Sequence, residues 1–245
     1  MAGLAAALWA LWAPAASAGP FSDWAAVVVA GDWRGSEGGP TQAFDNARRD
    51  VATALQATGF PAERLRQFST RPGQDRQTRP QRADARLIYQ TLGQLTAEHP
   101  GGCLLYMSTH GSPQGVVIGE QIVPPEAMAE ILDRTCGERP TVVVISACFS
   151  GVFVPQLATP NRMVLTAARR DRTSFGCGQA DRYPYFDECF LGEIGRAANF
   201  AALADQVRQC VAARETKEGA KPASEPQLFV GAALRPFLPL WSLHN

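Results

Sequence analysis

Thr141-Val142-Val143-Val144-Ile145-Ser146-Ala147-Cys148-Phe149-Ser150-Gly151 is a β-branched run that stops at a cysteine followed by small residues. Bounded by Pro140 and by Ser150-Gly151, it predicts a central strand covered on both faces, because a strand with one wet face alternates polar and apolar residues. The sulfur of Cys148 then stands at the strand's carboxyl end, the edge of an open parallel sheet where crevices form and ligands bind. A second stretch has the same layout. Cys103-Leu104-Leu105-Tyr106-Met107-Ser108-Thr109 is another buried-strand pattern, and it runs into His110-Gly111-Ser112. Two strands therefore end in a thiol and an imidazole, which neighbouring parallel strands would bring together.

The pairing carries chemistry. A free cysteine is mostly thiol at neutral pH, with a pKa of about 8.5, and becomes a strong nucleophile when an imidazole handles its proton. The chain has three histidines. His99 precedes the turn-forming Pro100-Gly101-Gly102 and His244 is next to the last residue, which leaves His110 as the candidate partner.

Residues 1–18 read as a signal peptide: Leu4 to Ala13 is an apolar run and Ala16-Ser17-Ala18 supplies the small-x-small cleavage pattern. The run is shorter than the ~20 apolar residues a membrane span needs. Residues 19–245 are long enough for one domain with its own core. Export to the periplasm or the extracellular space, with no membrane span after removal of the signal, is the expectation. Lys plus Arg and Asp plus Glu are balanced at 23 each, and no basic patch is interleaved with aromatics, so nucleic acid is not an expected partner. Peptide, protein or small-molecule substrates fit better, and a monomer is expected. No C-x-x-C occurs and the histidines lack ligand spacing, so neither metal nor cofactor is expected.

Six cysteines in an exported chain call for pairing. With Cys148 kept as nucleophile, five remain. A crossover helix ending at Cys136 returns to the edge where Cys103 begins its strand, which predicts a Cys103–Cys136 disulfide. Among Cys177, Cys189 and Cys210 the pairing is open, with Cys177–Cys189 favoured as closing a short loop.

Along the chain, Trp24 to Gly31 reads as the first strand and Asp32 to Pro40 as a Gly-rich loop without the signatures of nucleotide binding. Helical periodicity covers Thr41 to Thr58 and Ala83 to Ala97, flanking a short strand at Leu65 to Phe68 and an exposed Arg-rich loop from Ser69 to Arg82. A small hairpin (115–123) follows His110, and Pro125 opens a helix to Asp133. Beyond the Cys148 strand come a buried strand at Arg162–Ala168, a long loop at Arg169–Tyr185, helices over 186–200 and 201–214, a linker at 215–225, and a last strand at Gln227–Gly231. Strands alternating with helices predict an α/β three-layer αβα sandwich with a mostly parallel central sheet.

With those residues placed, the chain resembles the legumain-type cysteine peptidases, relatives of caspases and gingipains on the caspase–haemoglobinase fold. The resemblance runs from about Trp24 to Phe190 and rests on four ordered matches: Val27-Val28-Val29-Ala30-Gly31, Thr109-His110-Gly111-Ser112, Ile145-Ser146-Ala147-Cys148-Phe149-Ser150-Gly151, and Thr166-Ala167-Ala168 followed by Ser174-Phe175-Gly176-Cys177. It implies an endopeptidase in which Cys148 attacks the scissile carbonyl to form a thioester, His110 acts as general base or as the acid that protonates the leaving amine, and the N–H groups of Gly111 and Cys148 hold the oxyanion. A transamidase using the same thioester, or a non-catalytic caspase-like binding domain, is the alternative. Departures lie in substrate recognition. Where asparagine-cleaving members carry Arg-His at the start of the first helix this chain has Ala43-Phe44, their orienting Asn falls near Thr41, and their acid after the cysteine is replaced by Phe149. Asp187 or Glu188 corresponds to a further acid, and Asp45-Asn46-Ala47 matches caspase and metacaspase relatives. The implied substrate-binding residues are Asp45, Asn46, Phe149, Ser174 and Glu188.

Overall fold

The computed structural model describes residues 19–244. The expected signal segment, residues 1–18, lies outside the described residues. In chain order the elements are β1 (Trp24–Ala30), α1 (Ala43–Ala57), β2 (Leu65–Ser69), β3 (Gln81–Arg82), α2 (Ala85–Glu98), β4 (Gly102–Ser108), β5 (Gly111–Ser112), β6 (Gly115–Ile118) and β7 (Gln121–Val123). They continue with α3 (Pro125–Thr135), β8 (Thr141–Ser146), the short α4 (Val154–Leu157), β9 (Arg162–Thr166), α5 (Tyr185–Glu193), α6 (Phe200–Glu218) and β10 (Gln227–Val230).

Every residue of β1, β4 and β8 is buried, as a strand with helices on both faces requires. The seven-stranded sheet has the order β10-β9-β8-β4-β1-β2-β3, and within it β10 pairs antiparallel with β9 while the remaining pairs are parallel. Parallel neighbours need crossover connections, and these helices cover the two faces. Along β1, Ala26 and Val28 point into a cluster with Val51 and Leu55 of α1, Phe186 and Phe190 of α5, and Leu203 and Val207 of α6. The alternate residues Ala25, Val27 and Val29 point into a second cluster with Ile88 and Leu92 of α2 and Met128 and Leu132 of α3. The result is a three-layer αβα sandwich in which the carboxyl ends of β1, β4 and β8 lie side by side on one edge. The hairpin after His110 is joined by β5 into a separate three-stranded antiparallel sheet.

Helix boundaries follow local chemistry. Asp84 caps α2 by accepting from the Leu87 N–H at 3.0 Å, and Asn199 caps α6 by accepting from Ala201 and Ala202 at 3.0 Å each. Two boundaries differ from the sequence reading. The helix expected over 186–200 ends at Glu193, and α6 runs through Glu218 into what reads as linker. The buried carboxylate of Glu215 accepts from the Ser224 N–H at 3.1 and 3.2 Å, which draws the last turns of α6 against the returning chain. Gly219, left-handed at φ +67°, supplies the stop.

Disulfides join Cys103 to Cys136 and Cys189 to Cys210, leaving Cys148 and Cys177 as free thiols. The favoured Cys177–Cys189 pairing is thus replaced. Cys189 lies on the face of α5 that packs against α6, so its neighbour is Cys210 of α6, while Cys177 stays in the loop by Cys148. The Arg-rich loop at 69–82 is also more than solvated charge. Arg48 of α1 is fully buried and ties it down, donating to Asp75 at 2.6 Å, to Thr78 at 3.0 Å and to Gln67. No helix among the described residues is long and apolar enough to cross a membrane.

Candidate active site

β4 and β8 pair in parallel from Cys103↔Thr141 through Ser108↔Ser146, and the Thr109 N–H donates to the Ser146 carbonyl at 3.0 Å beyond the last pair. His110 and Cys148 each lie two residues past that final pair. They therefore occupy matching positions just past the ends of strands that pairing holds about 4.8 Å apart. The closeness persists at the next residue: a Cβ added to Gly111 would lie 2.1 Å from the Cys148 carbonyl oxygen, so this position accepts glycine alone without displacement.

The imidazole is oriented by the loop after β1. Nε2 of His110 lies 2.8 Å from the carbonyl oxygen of Arg34. A carbonyl accepts and cannot donate, so Nε2 carries the proton and Nδ1 is left free for chemistry. Phe44 of α1 packs edge-on against the ring, with centroids 5.0 Å apart. The Arg34 carbonyl is itself held by the buried Asp32, whose Oδ1 accepts from the Trp33 N–H at 2.7 Å, the Arg34 N–H at 3.1 Å and the Arg34 Nε at 3.0 Å. Thr41, where the orienting residue was expected, instead accepts from the Ala43 N–H at 3.1 Å and donates to the Gly178 carbonyl at 2.9 Å. Asp32 and Arg34 were not singled out from sequence. Asp followed by a residue whose N–H turns back to it is an Asx-turn pattern, and that signal was there to be read in the Gly-rich loop.

The thiol is held from the other side. Cys148 is partly exposed and unbridged. Its Sγ accepts from the Ser174 N–H at 3.3 Å, and lies 3.6 Å from the Ser174 carbonyl and 3.7 Å from its hydroxyl. Phe149 turns the chain with left-handed backbone at φ +56°, and its N–H donates to the Arg172 carbonyl at 2.7 Å. Ser150 accepts from the Ala168 N–H at 3.1 Å, which docks the turn on the end of β9. The second free thiol, Cys177, is pushed up to about 11 by burial and by the nearby Cys148, so it stays protonated at neutral pH.

Two N–H groups near the strand ends lack acceptors among the described residues. The Val117 N–H donates to the His110 carbonyl at 2.9 Å, which makes Gly111–Val116 the wide, non-hydrogen-bonded pair of its ladder and turns the Gly111 N–H away from β6. The Cys148 N–H, past the end of β8, also has no acceptor there.

Of the two adjacent acids on α5, Asp187 points inward and is fully buried. Its Oδ1 accepts from Tyr106 at 2.6 Å, and its Oδ2 accepts from Ser108 at 3.0 Å and Ser146 at 2.6 Å. Burial outweighs these bonds and raises its carboxyl to about 6. Glu188 faces the other way. It pairs with Arg214 and lines a surface hollow with Cys189, Cys210 and Lys217, away from His110 and Cys148. Asp45 is bound by Arg48 at 3.1 Å, and Asn46 donates to the Arg182 carbonyl at 3.1 Å and accepts from Arg49 at 3.1 Å. Of the expected substrate-binding set, the structure places Ser174 against the sulfur, gives Phe149 the left-handed turn that follows Cys148, and pairs Asp45, Asn46 and Glu188 with other partners. No group of three His, Cys, Asp or Glu side chains arranged to hold a metal ion occurs among the described residues.

This architecture defines a caspase-like α/β protein. Caspase-1 from Spodoptera frugiperda superposes with a TM-score of 0.61 at 14% identity, covering 93% of this chain and 94% of that one. A protein from Geobacter sulfurreducens superposes with a TM-score of 0.62 at 12% identity, covering 88% and 96%. At such identities the likeness establishes the fold. No curated protein gives a significant sequence match. The chain belongs to the peptidase C13 family, the legumain family, whose pattern matches residues 95–227, more than half of the sequence. That match spans His110, Cys148, Ser174 and Asp187 and supports a function of cysteine-peptidase type.

Proposed function

We propose that this protein is a cysteine endopeptidase with Cys148 as nucleophile and His110 as its proton-transfer partner. The observation that carries the reading is the β4–β8 register, which sets the two residues at matching positions past adjacent strand ends. In this mechanism Nδ1 of His110 takes the Cys148 thiol proton, the sulfur attacks the scissile carbonyl carbon, a C–S bond forms, and the carbonyl electron pair moves onto oxygen. The free N–H groups of Gly111 and Cys148 hold that oxyanion, a contribution worth about 10²–10³ in rate for a single donor in related chemistry. Collapse expels the amine, which takes its proton from Nδ1 of the imidazolium while Nε2–H stays on the Arg34 carbonyl. Water then gives a proton back to Nδ1 as its oxygen attacks the thioester, the C–S bond breaks to release the acid, and the departing sulfur takes that proton from Nδ1, which restores the starting thiol and imidazole.

Ser174 lies against the sulfur and forms the near wall for the substrate. The two disulfides fit a chain that works outside the reducing cytosol, in keeping with the signal-like residues 1–18. The test is a peptide library incubated with wild type and with Cys148→Ala, alongside labelling by a thiol-reactive peptidyl probe. Cleavage and labelling lost in Cys148→Ala are expected; equal labelling of both proteins overturns the assignment.

A further inference from the structure

Strand pairing aligns β4 and β8 along their length, but the residues that would do the chemistry lie beyond the last ladder bond, where the backbone is free to splay. A side-chain device sits at that point. Ser108 and Ser146 are directly opposed in the register, each two residues before His110 and Cys148 respectively. Side chains two apart on a strand share a face, so Tyr106 and Ser108 project together from β4 toward α5. Both serine hydroxyls converge on the same oxygen, Oδ2 of Asp187, at 3.0 and 2.6 Å, and Tyr106 takes the other oxygen at 2.6 Å.

We propose that Asp187 is a positioning residue: its carboxylate bridges the ends of β4 and β8 and thereby sets the spacing of His110 and Cys148. Hydrogen bonds to an ionised acceptor are the strong kind, and a bridge made of two of them resists separation of the strands that carry them. Asp187 can serve as an anchor because α5 is itself fixed. Phe186 and Phe190 on either side of it are buried in the core, and Cys189 is bonded to α6. The carboxyl is raised to about 6, so burying it works against the stability of the charged folded state. A group kept at such a cost contributes through geometry. Full burial behind three hydroxyls also keeps it from touching substrate, which separates this role from that of a pocket-lining acid.

The effect on turnover rests on the peptidase reading above; the effect on the reactivity of the Cys148 thiol does not. Three variants of the full chain test it: Asp187→Asn, which keeps the volume, Ser146→Ala and Ser108→Ala. For Asp187→Asn the expected result is at least a tenfold fall both in kcat on a peptide found by the library and in the rate of Cys148 alkylation by iodoacetamide, with KM within twofold and a cooperative melt. Each serine variant lowers both rates several-fold in the wild type and adds nothing in the Asp187→Asn background, the signature of groups acting as one unit. If Asp187→Asn does not fold, Ser146→Ala carries the same expectation alone. Additive losses, unchanged rates, or a change in KM or in the preferred residue at the cleavage site with kcat intact would each overturn the proposal. A protein that cuts no peptide but still shows the tenfold fall in alkylation would overturn the peptidase reading and leave the bridge standing.

Discussion

Replacing Gly111 with alanine tests the contact on which the site's geometry depends. The added Cβ would lie 2.1 Å from the Cys148 carbonyl oxygen, 3.0 Å from the Ala147 Cβ and 3.2 Å from the Cys148 carbonyl carbon, whereas ordinary contact begins near 3.4 Å. The shortfall to the oxygen is 3.4 − 2.1, or 1.3 Å. All three obstructing atoms belong to the segment bearing Cys148 and two of them are backbone, so the strain is relieved by moving Cys148 away from His110 and the Gly111 N–H. A displacement of about 1 Å in a catalytic constellation costs on the order of 10²-fold in rate, equivalent to about 2.7 kcal/mol of barrier. Overpacking should cost a further ~1–3 kcal/mol of stability. The assay is kcat/KM on a fluorogenic peptide together with a thermal melt. Gly192→Ala is the control, because nothing lies within 4 Å of its added Cβ inside α5; it should leave activity unchanged and stabilise by up to ~1 kcal/mol. A Gly111→Ala enzyme within twofold of wild type, with Gly192→Ala behaving as expected, would refute the close approach of the two strand ends.

Reducing the disulfides should lower stability by about 3–4 kcal/mol each, from loops of 33 and 21 residues, measured as a drop in the melting temperature on adding dithiothreitol; an unchanged melt would mean the bonds are not formed. Asp187 makes a stability–pH prediction of definite sign. Its carboxyl is raised from 3.8 to about 6, so the native state holds its proton more tightly, and the stability it contributes is full below about pH 4 and is lost as pH rises to 6. The loss is roughly 3 kcal/mol, read as the difference between wild type and Asp187→Asn in urea unfolding at pH 4, 5, 6 and 7; parallel curves would contradict it. Iodoacetamide at pH 7.5 should modify Cys148 well before Cys177, whose thiol is held at about 11, and peptide mapping that finds both labelled at one rate would count against the burial assigned to Cys177.

The sheet and its active edge were legible because their signals are local and strong. Continuous apolar runs ending in Cys148 and His110 announce strands covered on both faces, and Pro125 marks a helix start by its fixed φ. The Cys103–Cys136 contact followed from connectivity, since a crossover returns the chain to the strand starts. The rest of the site was not legible for reasons that can be named. Asp187 and Glu188 are adjacent, equally acidic and on one helix, and sequence cannot tell which of them turns inward. Arg34 acts through a carbonyl oxygen, a group every residue has. Asp45 fits a family pattern, yet Arg48 three residues on captures it because both belong to α1 and the guanidinium is buried beneath the 69–82 loop. Cys189 pairs with Cys210 because two helices separated by an irregular turn come face to face.

By itself the sequence determined the fold class and set Cys148 and His110 at the carboxyl ends of two buried strands, because hydrophobic periodicity reports which faces are buried and strand ends inherit their position from the strands. The tertiary structure decided which nitrogen of His110 is free, which acid lies beneath the strands, and how the remaining cysteines pair. Those depend on distances of 2.6 to 3.7 Å between segments far apart in the chain, and distances of that order are set by how packed layers settle against each other.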